Sequence, residues 1–476
     1  MNVTRPAARG LSAALLAAAV AAACSEPITS TPQRTRNMTA PAMSRVGIPT
    51  TDEHVFVLKG EQIPANFTAR VAARGGEIVS AQFDIGVVVT RGLSDVEAAS
   101  LAGTDSVARD YIGRWVPTPD EMRASTAVLP TAIDATSAQP PFAAAFLPLQ
   151  WNMREIHAPE AWARRSGNLK VKVAILDSGL DPDHLDQNGI IDVASSVAFV
   201  PSVTGPPAWA DDNLHGTFVG GIVTSNNFGT AGVAPDVTLI AVKVLGANGV
   251  GPIGAVIDGI VYATKARAQV INMSLGLYLK KDTPAAGILL SAMTRAVNYA
   301  KRHGVLVVSA AGNENKDLEH DKGYVELPCE AGVQICVSAT APGDTRTTYS
   351  NYGRNAIDVA APGGDGPPSV TNWILGPCSS HVADPAFAGC KNRVTYILAA
   401  GTSASAPHVS GLGAYLDAQF GGHLDASLLI PIIERTADDI GPRGPDPYFG
   451  NGRINVAKAL AVGSFEWDKN RGNIRQ

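Results

Sequence analysis

The sequence predicts an α/β protein: a doubly wound, mostly parallel sheet preceded by a small α+β unit of ferredoxin-like order. Three observations predict it. From residue 149 onward, short continuous apolar runs recur at 171–176 (VKVAIL), 237–244, 269–273, 305–310 and 335–339. A strand covered by helices on both faces has this composition, unlike the alternating pattern of a half-exposed strand. Between the runs, apolar residues keep helical spacing, as in Ile253, Val256, Ile257, Ile260 and Val261, and in Leu289, Met293, Ala296, Val297 and Ala300, with Gly304 as a C-cap. Before residue 117, the elements follow the order βαββαβ.

Composition narrows the classes. The chain has 476 residues, 45% of them hydrophobic, enough for two or three domains with a sizeable core. Only 17% are charged, while 47 are Gly and 32 Pro, which fits a compact, loop-rich protein. A net charge of −5 gives no electrostatic footprint for nucleic acid or an anionic membrane surface. Of five Cys, Cys24 stands alone. Cys329, Cys336, Cys378 and Cys390 lack zinc-type CxxC spacing and suit two disulfides in an oxidising compartment. Four Cys allow three connectivities. Cys329–Cys336 and Cys378–Cys390 are expected, because each pair closes a short local loop.

Taken in order, residues 1–24 read as an export signal: Arg5 and Arg9 precede a short apolar run at 11–23. The stretch VAAAC resembles a bacterial lipoprotein signal, with Ala21 where Leu is usual, so Cys24 is a candidate for lipidation and a lipid anchor. Residues 25–51 are Ser-, Thr- and Pro-rich and read as a linker. Residues 52–116 form the small unit: a strand at 54–59, a helix at 65–74 stopped by Gly75 and Gly76, strands at 77–83 and 85–90, a capping box from Ser94 to Glu97, and a strand at 107–115. Residues 117–148 lack periodicity and read as an exposed linker, where proteolytic nicking concentrates. Residues 149–463 carry the α/β pattern, closing on a helix at 455–460, and 464–476 is a polar tail.

Four residues stand where such a sheet gathers its chemistry, near the carboxyl ends of strands. Asp177 follows VAIL, His215 opens the apolar helix HGTFVGGIV, Asn313 ends VVSAAGN, and Ser403 lies in GTSASAPHVSG. Singly, each has an ordinary reading as a cap, turn or packed residue. Together they form a chemical unit. A hydroxyl becomes a useful nucleophile when a base takes its proton. An imidazole base needs a carboxylate to fix its tautomer. The oxyanion that forms needs preorganised donors, here the Asn313 amide and the Ser403 N–H.

These residues and their flanks resemble the subtilisin/proteinase K-like serine peptidases, from about residue 150 to 460. The matching stretches, in order, are DSG at Asp177, HGT at His215, GVAP from Gly232, KVL from Lys243, NMSLG from Asn272, AAGN ending at Asn313, SNYG from Ser350, VAAPG from Val359 and GTS at Ser403. The resemblance implies a triad of Asp177, His215 and Ser403, with Asn313 in the oxyanion hole. It implies that Gly249, Val250, Gly251, Ser274, Leu275 and Gly276 pair with an extended peptide, beside Ala310 and Gly312. It further implies protein or peptide substrates, no cofactor for catalysis, a monomer, and an exported enzyme. By the same resemblance, residues 52–116 are an inhibitory propeptide, with a processing site in the linker that follows. Asp186 falls where some relatives supply a calcium ligand, although the loop at 225–232 is short for such a structural calcium site.

The chain departs from the family at Ala404, where Met is usual, at Phe218, where a second His is common, and at Leu214, where Gly or Ser is common. The stretch after Tyr324, which should close the primary specificity pocket, aligns poorly. A binding module that has lost catalysis would lack a triad residue, and none is missing. A serine hydrolase of esters, or a transpeptidase, uses the same triad.

Overall fold

The computed structural model describes residues 46–103, 105–117, 125–128, 138–164, 167–168, 170–365 and 370–462, with the pairs 467–468 and 473–474. The expected export signal and Cys24 lie outside them. Strand Lys172–Asp177 is central to the main sheet. Val270–Met273 and Thr238–Lys243 flank it in parallel. Leu306–Ala310, Ile335–Ala341 and Val359–Pro362 extend the sheet in that order, also in parallel.

Alternation along the central strand shows why its sequence is apolar throughout. Val173 and Ile175 join a core with helices His215–Val223 and Thr402–Gln419. Ala174 and Leu176 join a second core with helices Ile253–Lys265 and Pro284–Arg302. Both faces are covered, so every position from Val173 to Asp177 is buried. The expected cap appears after the second of these helices, where Gly304 takes φ +79°.

The N-terminal unit comprises β1 (Ile48–Val57), α1 (Phe67–Ala72), β2 (Glu77–Gln82), β3 (Val87–Arg91), α2 (Asp95–Ala102) and β4 (Ser106–Arg114). Its strands lie in the order β2-β3-β1-β4, all antiparallel. The Ser94 side chain accepts from Glu97 N while Glu97 Oε2 accepts from Ser94 N at 2.9 Å, closing the capping box. One face of the sheet packs its own core of Phe56, Phe67, Val71 and Leu101. The other, through Val55, Val57, Val87 and Val89, packs on the helix pair of the α/β unit. Polar contacts fix this docking. Ser80 Oγ and Gln82 Nε2 each donate to Asp258 Oδ1 at 2.8 Å. The Asp110 carboxylate accepts from Gly254 N at 3.1 Å and so caps the helix Ile253–Lys265.

Two stretches differ from the sequence reading. β1 begins at Ile48, inside the stretch taken as linker, because Ile48 finds a partner in Ile112 of β4, while Val46 bridges to Tyr278. The segment after residue 117 is also more ordered than its composition suggests. Ser125–Val128 (β5) pairs antiparallel with the strand Thr395–Ala399. Phe142 sits edge-on to Trp162 and Phe146 edge-on to Tyr396. Single aromatic anchors of this kind leave no periodic signal. The late cysteines form Cys329–Cys336 and Cys378–Cys390.

Candidate active site

Asp177 is the last residue of the central strand, and its burial is complete. His215 opens the helix His215–Val223, equally buried. Its Nδ1 lies 2.9 Å from Asp177 Oδ1 and 3.0 Å from Oδ2, a contact that places the ring proton on Nδ1. Nε2 is buried and has no partner among the described residues, so its lone pair is open to take a proton.

A buried polar network holds this pair. Ser178 Oγ donates to Asp211 Oδ1 at 2.8 Å and accepts from Gly216 N at 3.0 Å, tying the residue after Asp177 to the residue after His215. Asp211 also accepts from Leu214 N at 2.9 Å and from Thr217 N at 2.8 Å. Lys243, fully buried, pairs with Asp212 at 2.6 Å and donates to Ser178 O. These contacts hold Leu214 at φ +106°, a conformation that a residue with a Cβ adopts only when its surroundings over-determine it. The left-handed backbone explains why glycine suits this position. Sequence reasoning did not find Asp211, Asp212 or Ser178. Their signal was two adjacent carboxylates just before the histidine and a lysine ending an apolar strand.

Ser403 is the second residue of helix Thr402–Gln419 and is 8% exposed. Its N–H belongs to the first turn, where amides lack intrahelical acceptors. Asn313 follows the strand Leu306–Ala310, and its Oδ1 accepts from Thr402 N at 2.8 Å and Thr402 Oγ1 at 2.9 Å. A Cβ added at Gly401 would lie 3.2 Å from Ser403 Oγ and 3.5 Å from Asn313 Nδ2, so nucleophile and amide flank one point. His408, in the same motif, is a different kind of histidine. Nδ1 donates to Ala404 O at 2.7 Å and Nε2 accepts from Asn152 Nδ2 at 2.8 Å. Burial pushes its pKa down to about 4, so it is a neutral packing residue.

The chain's own backbone runs through the expected peptide-binding edges. Gly113 pairs with Gly251 and Arg114 with Val250. Trp115 N donates to Gly249 O at 3.0 Å, and Gly276 N donates to Trp115 O at 2.9 Å. The indole of Trp115 donates to Gly251 O at 2.7 Å. Ser274 and Leu275 are buried beside Gly276, and Ser274 Oγ accepts from Asn272 at 3.0 Å. Ala310 ends its strand, and Gly312, at φ +96°, donates to Thr402 Oγ1 at 3.1 Å.

Asp186 does not fit a calcium ion. Its carboxylate accepts from Phe228 N at 2.6 Å, Thr230 N at 3.0 Å and Gly229 N at 3.2 Å, and these donors would face the cation. Among the described residues, Asp181, Asp183 and His381 bring one ligand atom each within 4.8 Å of one another. Their present contacts are internal: His381 Nε2 meets Asp183 at 3.0 Å, and Asp181 accepts from Ser380 N at 2.6 Å.

A model of the Subtilase family matches residues 168–452. Thermitase from Thermoactinomyces vulgaris is 34% identical over 314 residues, covering 65% of this chain and 95% of thermitase. Subtilisin Savinase from Lederbergia lenta is 31% identical over 319 residues, covering 65% of this chain and 97% of its own. A lanthipeptide protease of known structure superposes with a TM-score of 0.60 at 29% identity, over 69% of this chain and 99% of that one. The epidermin leader peptide processing serine protease of Staphylococcus aureus shares the fold, with a TM-score of 0.66 at 22% identity over 87% and 99%. The match spans the strands and helices that carry Asp177, His215, Asn313 and Ser403, and the chain belongs to the subtilase family as a serine-type endopeptidase.

Proposed function

We propose that the protein is an exported endopeptidase made as a self-inhibited, self-processing precursor, with Asp177, His215 and Ser403 as its triad. The observation that carries this reading is Trp115, whose backbone bridges Gly249 and Gly276 while the His215–Asp177 contact is intact. Asp177 holds the Nδ1 proton, so Nε2 takes the Ser403 proton as Oγ attacks the peptide carbonyl. The oxyanion is held by Asn313 Nδ2 and the Ser403 N–H. His215 then gives its proton to the leaving amine, and water, activated in the same way, releases the acyl group. Every proton moves between named side chains, so the scheme calls for no cofactor.

The N-terminal unit acts as the inhibitor. β4 adds a strand to the substrate edge, an interaction made mainly by backbone and tolerant of sequence. β5 pairs on the other side, where Ser125 faces Leu398 on the strand leading to Gly401 and Ser403. The bond to be cut is placed after the docked strand, between Trp115 and Leu147. Cleavage within one chain needs no bimolecular encounter, which contributes several kcal/mol, on the order of 7 or more, to lowering the barrier. The freed unit stays docked through Asp110 and Asp258. The two disulfides suit the oxidising compartment that export provides. The test is to express Ser403→Ala in a protease-deficient host. It should accumulate with the N-terminal unit still joined, whereas the wild type loses it. A mutant that matures to the wild-type mass would show that another protease makes the cut.

A further inference from the structure

The hairpin that leads to Ser403 also reaches back to His215. Its strands, Ile374–Pro377 and Thr395–Ala399, pair antiparallel with Pro377 opposite Tyr396. The second strand runs on through Gly401 to Thr402 and Ser403 at the start of their helix. The first strand lies directly on the helix that His215 opens. A Cβ added at Gly376 would lie 2.6 Å from Phe218 Cδ2, and one added at Gly221 would lie 2.2 Å from Pro377 Cδ. Two glycines therefore permit this close approach. Phe218, standing where a second His is common, packs its ring against the hairpin.

Between the two strands, residues 378–394 form an extended tip. Ordering so long a stretch costs conformational entropy, which a cross-link reduces. Cys378–Cys390 supplies it, across a separation of 12 residues. Both cysteines are completely buried, in one core with Leu214, Phe218 and Val382. The polar groups of the tip converge on the turn before His215. Ser379 Oγ donates to Asp211 O at 2.6 Å and accepts from His381 N at 3.1 Å. Ala383 N donates to Asp212 O at 2.8 Å. Ser380 N and Oγ donate to Asp181 Oδ2, on the loop after Asp177, at 2.6 and 2.7 Å. The tip thus grips the main chain of the two aspartates whose carboxylates hold Ser178, Leu214 and Lys243.

We propose that this disulfide-closed tip is a positioning element for His215, with Ser379 as its positioning residue; the step rests on the triad proposed above. One hairpin carries the nucleophile beyond its base and holds the turn of the general base at its tip. Closing the tip through Cys378–Cys390 therefore sets His215 and Ser403 relative to one another. Leu214, at φ +106°, is where the turn stores backbone strain. Without the donors on Asp211 O and Asp212 O, the turn is free to relax, and His215 moves with it. A displacement of about 1 Å at a reacting group costs about 10²-fold in rate. The contacts of the tip end on the Asp177 and His215 turns and leave the edges Val250–Pro252 and Ser274–Gly276 untouched, so the loss falls on kcat. Cys329–Cys336 packs in a separate cluster with Leu318 and Ile357 and serves as the control.

The matured protein is assayed on one peptide p-nitroanilide as wild type, as Cys378→Ala with Cys390→Ala, as Ser379→Ala, and as Cys329→Ala with Cys336→Ala. Circular dichroism gives the folded fraction, and rates are expressed per folded chain. A fluorophosphonate reports separately on Ser403 in the wild type. The Cys378 and Cys390 pair should lower kcat about 10- to 10²-fold, with KM changed less than about 2-fold. Ser379→Ala, which keeps the disulfide, should lower kcat about 10-fold with KM equally spared. The Cys329 and Cys336 pair should leave kcat within about 2-fold of the wild type. Unchanged kcat per folded chain in Ser379→Ala, a loss mainly in KM, or equal losses from the two cysteine pairs overturns the positioning role and leaves the peptidase reading standing. A wild type that neither labels at Ser403 nor cleaves the substrate sinks the peptidase reading and the positioning role with it. Should the Cys378 and Cys390 pair fail to fold, Ser379→Ala decides alone by the same split of kcat from KM.

Discussion

The proposed bond-breaking half of this site and its proposed peptide-pairing half are built in contrasting ways. Asp177, His215, Asn313 and Ser403 lie at or just beyond the ends of regular elements, and side-chain hydrogen bonds hold them: His215 by Asp177, Asn313 by Thr402, and the turn before His215 by Asp211. The edge Val250–Pro252 is occupied through backbone pairing instead, with β4 of the N-terminal unit. Side-chain geometry fixes the candidate chemistry. Backbone pairing fills the edge and can be released without disturbing that geometry.

The largest effect expected is on the chemical half. Ser403→Ala and His215→Ala should each lower kcat roughly 10⁴- to 10⁶-fold, and the double variant little further, because the residues act as one unit. Additive losses in a kinetic double-mutant cycle would break the contrast, since the triad would then not behave as a single device. Asn313→Ala should raise the barrier by about 3–4 kcal/mol through kcat, with KM little changed. A loss appearing mainly in KM would place Asn313 in the peptide-pairing half.

The two buried histidines sharpen the contrast through pH. His408 has a folded pKa of about 4, below its unfolded value of about 6.5. The unfolded chain therefore binds more protons between these values. The contribution of His408 is complete above pH 6.5 and is lost as pH falls toward 4, by roughly 3 kcal/mol. Denaturant unfolding in the Ser403→Ala background, which prevents self-digestion, should show this slope, and His408→Gln should flatten it. An unchanged slope would mean that other groups govern acid stability. The smallest effect concerns Cys329–Cys336, which follows the strand Tyr324–Leu327 and closes a separation of 7 residues. Replacing both by Ser should cost about 2–3 kcal/mol on chain entropy, read as a lower denaturant midpoint, with kcat little changed. A loss of kcat at unchanged stability would tie this disulfide to the bond-breaking half.

The proposed catalytic residues could be picked out in the sequence because their motifs are short and contiguous: the strand-end Asp, the helix-start His and Ser, and the Asn just beyond a strand need no knowledge of pairing. The βαββαβ order was legible for a similar reason, since alternation and a capping box are local. The ordered part of 117–148 was not, because β5 is four residues long and takes its partner from Thr395–Ala399. The start of β1 was missed because Ile48 depends on Ile112. Glu326, buried within the run YVEL, was not singled out, because its surroundings come from the partner strand Leu277–Lys280. A lone buried charge in sequence does not reveal which surface it faces.

The most direct test of the central claim is chemical labelling of the matured protein with a fluorophosphonate, followed by intact mass and peptide mapping. We predict one adduct per chain, on Ser403, absent from His215→Ala and from a precursor still joined to its N-terminal unit. A casein-cleaving protein that carries no adduct on Ser403, or carries it on another residue, would contradict the account.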